Sequence, residues 1–184
     1  MEEYSSIWSN LGEESAIQRI SLSVLALCLV ILMLAIVLQV ICSALDINPV
    51  AQFSGDLTIF GSAITLNSLL DFQWHLLVIT GLLPVGLVWL ADKHVRVDFL
   101  YDRRRPRWKA RVNLLGNLIF AAPFFFLILP ASWSFMIRAW TSDEGSRNGG
   151  LNDLWLIKAV LPLGLSLLLL AILIETVRLI RAAR

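Results

Sequence analysis

Two histidines are the residues of this sequence best suited to hold a metal ion or a haem group. His75 and His94 lie 19 residues apart, which is about 28 Å along a helix. One chain therefore cannot bring both to the same metal ion, and a lone histidine near a helix end usually makes a hydrogen bond at the membrane interface. A membrane haem or redox subunit that uses both histidines in an oligomer stays open as an alternative.

Cysteine and serine chemistry finds no support in the sequence. Cys28 and Cys42 are 14 residues apart in one apolar segment, about 21 Å on a helix, whereas a disulfide needs Cα atoms within about 7 Å. The sequence contains no Gly-x-Ser-x-Gly motif, no glycine-rich phosphate loop and no Cys/His cluster with metal spacing. We also expect no aspartate inside any membrane span. The sequence therefore predicts a protein that is not an enzyme and holds no cofactor.

Lys158 and Glu175 are charged residues within the last apolar segment and are functional candidates for that reason. Each lies near one end of the segment. Lys158 can extend its ammonium to the interface, and Glu175 has Arg178 three residues on as a partner on the same helix. About 25 Å of helix separates Lys158 from Glu175, so they cannot pair. The lack of polar groups at mid-depth predicts that the chain alone does not conduct a polar solute.

Four apolar segments must position these residues. Hydrophobic residues make up 58% of the 184, charged residues only 16%, and the mean hydropathy is +0.75, whereas soluble domains are about one quarter charged. A membrane-spanning helix needs about 20 mostly apolar residues. The sequence predicts one all-α membrane domain over residues 1–184, with helices at 20–45, 72–91, 112–137 and 154–180. Residues 57–70 are apolar but too few to cross, and they predict an interfacial or re-entrant segment on the periplasmic side.

The lysines and arginines predict the orientation of the chain. Twelve of them fall on the side that holds both termini and the 92–111 connection, and two fall in the opposite connections. Both termini and the basic 92–111 loop are therefore expected in the cytoplasm. Ile7 to Ile20 carries an apolar face opposite glutamates, which predicts an amphipathic helix that either lies on the inner surface or docks on a partner. The arginines expected to set topology and bind lipid head groups are Arg103, Arg104, Arg105 and Arg107.

Two pentads, Leu83–Leu87 and Leu161–Leu165, share the pattern Leu-Pro-x-Gly-Leu. Proline removes a backbone hydrogen bond, and glycine lets a neighbouring helix approach closely. The pattern predicts two bent helices with close contacts at Gly86 and Gly164.

Several short motifs occur in a fixed order from about residue 72 to the C-terminus, and together they resemble one family. The sequence is similar to the small membrane subunit of tripartite ATP-independent periplasmic (TRAP) transporters, of the DctQ type. The motifs are Trp74-His75, His94-Val95-Arg96-Val97-Asp98, Asn113-Leu114-Leu115-Gly116, Glu144-Gly145-Ser146 with Gly149-Gly150-Leu151, and Lys158-Ala159 with Pro162-Leu163-Gly164.

The resemblance implies an accessory scaffold subunit of a sodium-coupled transporter for organic acids in the bacterial inner membrane. Its expected partners are the large membrane subunit, the periplasmic solute-binding protein and membrane lipids, without nucleic acid. Apolar helix faces at Gly86, Gly116 and Gly164 are expected to pack on the large subunit. A self-sufficient small exporter is a further alternative. The residues expected to contact partners are Trp74, His75, His94, Arg96, Asp98, Asp143, Glu144 and Lys158.

Overall fold

The computed structural model describes residues 16–91, 94 and 105–183. Arg96, Asp98, Arg103 and Arg104 lie outside the described residues, as does most of the amphipathic helix predicted for the N-terminal tail. The elements are α1 (Ala16–Ala44), β1 (Ala51–Leu57), β2 (Gly61–Ile64), α2 (Leu66–Leu82), α3 (Val85–Leu90), α4 (Pro106–Gly116), a π-helical segment (Asn117–Ala121), α5 (Ala122–Thr141) and α6 (Trp155–Ala183).

Four helical stretches of the described chain are long and apolar enough to cross a membrane, which confirms the predicted helical fold with four spans. The third stretch is one continuous helix made of α4, the π-helical segment and α5. The second stretch is interrupted at Leu83 and Pro84, where proline lacks the backbone donor and its ring disfavours a continued helix. The stretches are Arg19–Ala44, Leu66–Leu90, Arg107–Thr141 and Trp155–Arg181.

The segment between α1 and α2 differs from the prediction. Residues 57–70 do not form one interfacial segment, because β1 and β2 pair as an antiparallel hairpin and α2 begins at Leu66. The register pairs Ala51 with Ile64 and Leu57 with Gly61, with an irregularity between Gln52 and Leu57. A bulge of this kind disturbs the alternation of side chains that identifies a strand in a sequence.

The early start of α2 has a local cause in its first turn. The amide of Thr65 donates to Ser68 Oγ at 3.2 Å, and the amide of Ser68 donates to Thr65 Oγ1 at 3.1 Å. Such a reciprocal pair satisfies two donors that a helix start leaves without partners. Because the helix begins six residues before the predicted start, it includes Asp71, and the expectation that no aspartate lies in a spanning helix was wrong.

The described residues form two compact units. The first unit contains residues 16–81 and Ala139–Ile157. In it, the side-chain amide of Gln73 on α2 donates to the carbonyl of Ala35 and to Gln39 Oε1 of α1, both at 3.2 Å. Hydrogen bonds between spanning helices are worth about 0.6 kcal/mol on average, so these contacts add a modest, specific link between two apolar helices.

The second unit contains residues from Leu82–Arg138 together with residues 158–183, and its core lies between α3, α5 and α6. Phe125, Leu165 and Ile172 are buried together there. A Cβ added to Gly86 would lie 2.8 Å from the carbonyl oxygen of Leu167, and one added to Gly164 would lie 2.9 Å from that of Leu82. Both glycines therefore permit close approach of backbones within this chain, as the two pentads predict.

Candidate functional site

The loop between α5 and α6 is held to the N-terminal end of α2 by side chains that bond its backbone. This loop contains the Glu144-Gly145-Ser146 and Gly149-Gly150-Leu151 motifs. Hydrogen bonds from these side chains to the loop backbone fix the path of the loop, so the side chains of the loop itself are not needed for this. The three bonds run from Thr65 Oγ1 to Gly149 O at 2.9 Å, from Asn67 Nδ2 to Asn148 O at 2.6 Å, and from Leu151 N to Asp71 Oδ2 at 3.1 Å.

Two features of the loop explain why it lies so close to α2. A Cβ added to Gly150 would overlap Asp71 Oδ2, so a side chain at this position would displace the carboxylate that holds the loop. Leu151 is 3% exposed and belongs to the buried part of the unit. The loop is anchored to α2 by one carboxylate and by one buried leucine.

The same loop also contacts the hairpin. The amide of Asn152 donates to the carbonyl of Ile59 at 2.8 Å. An added Cβ at Gly61, which has a φ of 63°, would lie 3.4 Å from Asn152 Nδ2. The hairpin turn, the start of α2 and the α5–α6 loop therefore form one connected surface of the first unit, named here the loop platform.

Four predicted partner residues belong to the loop platform or lie next to it. Trp74 is exposed. The Nδ1 of His75 donates to the carbonyl of Asp71 at 2.5 Å. Asp143 takes a left-handed conformation with a φ of 50° just after α5 ends, and the amide of Glu144 donates to the carbonyl of Ala139 at 3.1 Å. The backbone at Asp143 and Glu144 thus closes the helix.

Lys158, near the start of α6, lies over an aromatic ring of α5. Its Nζ is 4.3 Å from the centroid of the Phe135 ring. A cation over a ring face is stabilised by the ring quadrupole. The Phe135 ring of the second unit therefore helps to hold the Lys158 ammonium in place.

A second group of polar residues occurs in the second unit and includes Glu175. The indole of Trp89 donates to the Glu175 carboxylate, a partner that the spacing to Arg178 did not indicate. The ring of His94 lies 5.4 Å from that of Trp89 between centroids. Asn117, at the start of the π-helical segment, donates from Nδ2 to Thr176 Oγ1 at 2.9 Å. Helix α6 thus contributes two successive polar residues to contacts with other helices.

An open groove of about 740 Å³ lies over this group and is named here the π groove. Among the residues that the structure describes, its lining is mostly apolar, with Glu175 as the one acidic side chain. A Cβ added to Gly116 would meet no heavy atom within 4 Å, so the chain leaves space above this residue. The groove is lined by Trp89, Val112, Asn113, Gly116, Asn117, Phe120, Ala121, Phe124, Phe125, Leu168, Ile172 and Glu175.

The expected role of the three glycines needs one correction. Gly86 and Gly164 do not offer their open sides to another subunit, because each one faces the backbone of a neighbouring helix of this chain. Gly116 differs, since it faces open space in the π groove. Of the three positions, only Gly116 keeps room for a second protein.

The described residues contain no group of three or more His, Cys, Asp or Glu side chains placed to hold a metal ion. Every buried side-chain nitrogen or oxygen within that same part of the chain has a hydrogen-bond partner. The hydrogen bonds described above join helices to each other or bond loop backbone. With four helical stretches able to cross a membrane, the chain is a multi-pass membrane protein.

Comparison of the sequence with known protein families identifies the family of this chain. Residues 58–182 match the family described as tripartite ATP-independent periplasmic transporters, DctQ component. The chain belongs to this family, which confirms the resemblance carried by the ordered motifs, and it is the small membrane subunit of a TRAP transporter. This family is a transporter component and not an enzyme family. Neither the curated proteins nor the solved structures gave a match.

Proposed function

We propose that this chain is the scaffold subunit of a sodium-coupled TRAP transporter that takes up an organic acid. It packs against the large membrane subunit and helps to receive the periplasmic solute-binding protein. The solute and the sodium ions cross the membrane through the large subunit. TRAP systems that contain a DctQ component also contain these two partners.

The observation that carries this proposal is the use of polar side chains within the spanning helices. Gln73 bonds to Gln39, and Asn117 bonds to Thr176. Trp89 bonds to Glu175. These groups are at helix contacts, where they hold this chain together. A pathway for an organic anion needs polar or cationic groups along its length, because an anion in hydrocarbon costs several kcal/mol.

The exposed surface supports packing against a membrane partner. Most large apolar side chains of α1 are exposed around the helix, among them Met33, Leu34 and Val37. Apolar exposure alone suits lipid and a protein partner equally. In the membrane, partner helices gain from close backbone approach and from hydrogen bonds, and the π groove offers both.

The loop platform supports a role in receiving the binding protein. With the 92–111 loop in the cytoplasm, the start of α2, the hairpin and the α5–α6 loop face the periplasm. The exposed side chains of Arg105 and Arg107 near the other end of the spans agree with this orientation. A preformed platform costs less entropy on binding than a loop that must first be ordered. Asp143 and Glu144 are the acidic residues proposed to contact the binding protein.

The experiment is reconstitution of the large subunit in liposomes, with and without this chain. The binding protein and a labelled organic acid are supplied outside, and an inward sodium gradient is imposed. We expect uptake only when this chain is present, and loss of uptake when potassium replaces sodium. Full uptake by the large subunit without this chain would refute the scaffold role. Uptake that is equal in potassium would refute sodium coupling alone.

A further inference from the structure

We propose that Asp71 is a positioning residue for the solute-binding protein, because its carboxylate holds the α5–α6 loop in the conformation that the binding protein recognises. The inference rests on the proposed function, since it assigns to one side chain the affinity of the loop platform for that partner. All the residues involved belong to the first unit. The contact of the Asp71 carboxylate with Gly150 and Leu151 is named here the Asp71 latch.

The Asp71 latch joins a charged side chain of α2 to the backbone of the loop. The amide of Leu151 donates to Asp71 Oδ2 at 3.1 Å, and a hydrogen bond to a carboxylate is about twice as strong as one between neutral groups. Leu151 is buried, so its amide has little access to water as a substitute partner. A buried amide without an acceptor is costly. We therefore expect the loop to leave this conformation when the carboxylate is removed.

Gly150 is the position at which the loop admits the carboxylate. An added Cβ would overlap Asp71 Oδ2 and would lie 2.8 Å from Asp71 Cγ. Gly149 has a φ of 69°, whereas Gly150 has no positive φ. The two adjacent glycines therefore have different roles. Gly149 meets a requirement of the backbone conformation, and Gly150 gives the carboxylate access to the Leu151 amide.

Two backbone hydrogen bonds connect the Asp71 latch to the acidic residues proposed to contact the binding protein. The amide of Ser146 donates to the carbonyl of Leu151, and the amide of Leu154 donates to the carbonyl of Glu144, both at 2.9 Å. Both bonds join the first part of the loop to its last part. The position of the Glu144 backbone therefore depends on that of Leu151, which the Asp71 carboxylate fixes.

A loop that already has its bound conformation binds its partner more tightly. When only a fraction of the molecules is competent to bind, the apparent dissociation constant rises as the inverse of that fraction. A hydrogen bond to a charged group is strong enough to change the fraction by roughly tenfold. Thr65 and Asn67 still bond the loop backbone without it. Loss of the carboxylate should therefore loosen the loop and lower the affinity while the chain stays folded.

The test measures uptake by liposomes that contain this chain and the large subunit, over a concentration series of the binding protein loaded with a labelled organic acid. We expect Asp71→Ala to raise the half-saturating concentration of the binding protein by about tenfold, with a maximal rate within about twofold of the original. Asp71→Asn keeps an oxygen that accepts from the Leu151 amide. It should restore the half-saturating concentration to within about threefold of the original.

Gln73→Leu is the matched control, because it removes hydrogen bonds from the same helix to α1 and none to the loop. We expect it to leave the half-saturating concentration unchanged. A variant that is only less stable lowers the number of active complexes, and hence the maximal rate, without changing the half-saturating concentration. If Asp71→Ala lowers only the maximal rate, or if Gln73→Leu raises the half-saturating concentration equally, Asp71 is not a positioning residue.

A second variant disturbs the Asp71 latch from the loop. Gly150→Ala displaces the carboxylate and should raise the half-saturating concentration as Asp71→Ala does. Ser146 Oγ, 2.8 Å from the added Cβ, is the end of a short side chain that can turn away. In an Asp71→Ala background, Gly150→Ala should therefore add less than about threefold, because the two substitutions break the same contact. Full additivity of the two effects would overturn the latch.

The outcomes separate this proposal from the proposed function. If the original chain with the large subunit gives no uptake that saturates with the binding protein, the proposed function itself fails. If uptake saturates and Asp71→Ala has the same half-saturating concentration as the original, only the assignment of Asp71 fails.

Discussion

The close approach at Gly86 gives a prediction whose size can be worked from the structure. In Gly86→Ala, the new Cβ would lie 2.8 Å from the carbonyl oxygen and 3.0 Å from the carbonyl carbon of Leu167. Ordinary contacts of this kind are about 3.3–3.6 Å, so α3 and α6 must separate by several tenths of an ångström. Overpacking of this kind costs about 1–3 kcal/mol of the free energy of unfolding.

A matched control separates the packing cost from the effect of alanine on helix stability. Alanine also favours a helix over glycine by about 1 kcal/mol, and Gly81→Ala shares this gain without any contact within 4 Å. The difference between the two variants therefore reports the packing cost. For a chain of this size, 1–3 kcal/mol corresponds to a midpoint lower by roughly 2–12 °C. Gly164→Ala, next to the Leu82 carbonyl, should behave like Gly86→Ala.

For the assay, each variant is fused to a fluorescent protein, heated in mild detergent and then passed through a size-exclusion column. The fraction that remains monodisperse at each temperature gives the midpoint. A midpoint for Gly86→Ala equal to or above that of Gly81→Ala would refute the reasoning, because it would show that the two helices do not meet at this glycine.

Three further predictions concern hydrogen bonds within the chain. Asp71→Ala removes the acceptor of the buried Leu151 amide, which should lower the free energy of unfolding by about 1–3 kcal/mol. Amide hydrogen exchange in the α5–α6 loop should become faster, and unchanged exchange would contradict the role of Asp71 as an anchor. Trp89→Phe should lower the free energy of unfolding by about 1.5–3 kcal/mol, and by much less when Glu175 is already replaced by leucine. If the effects of the two substitutions simply add, the bond between Trp89 and Glu175 is disproved. A double-mutant cycle of Gln39→Leu and Gln73→Leu should give a coupling of about 0.6 kcal/mol, measured by unfolding in detergent, and zero coupling would contradict the contact.

The sequence predicts the spans well because length and apolar character alone decide whether a helix can cross. The pentads also predict the tight contacts at Gly86 and Gly164, because only glycine allows such an approach. The hairpin was missed for a physical reason. Its register is irregular between Gln52 and Leu57, so the side chains do not alternate over the whole strand. Gly61, with a φ of 63°, is the local signal of a short hairpin turn.

The contacts of the candidate sites could have been predicted from the sequence only where the bonded residues lie close together along the chain. Thr65 and Ser68 could have been recognised as a helix start from their spacing alone. Asp71 bonds to an amide 80 residues further along the chain, and Trp89 bonds to a carboxylate 86 residues away. No local pattern connects residues at such separations, because their proximity depends on how the helices pack. The motif around Gly149 indicated the loop, but not what holds it.

Solute preference provides a last test of the idea that this chain carries no transport path. A protein discriminates between two solutes only through contacts that differ between them. If no residue of this chain contacts the solute, Gly116→Leu should lower the uptake rate while the ratio of rates for two competing organic acids changes by less than about twofold, or about 0.4 kcal/mol. The ratio is measured in liposomes with both labelled acids present. Gly81→Leu is the control, because neither Gly81 nor Gly116 has a heavy atom within 4 Å of an added Cβ. A clear shift in the ratio with Gly116→Leu but not with Gly81→Leu would mean that the π groove lies on the path of the solute, because a substitution that only weakens subunit packing acts on both acids alike.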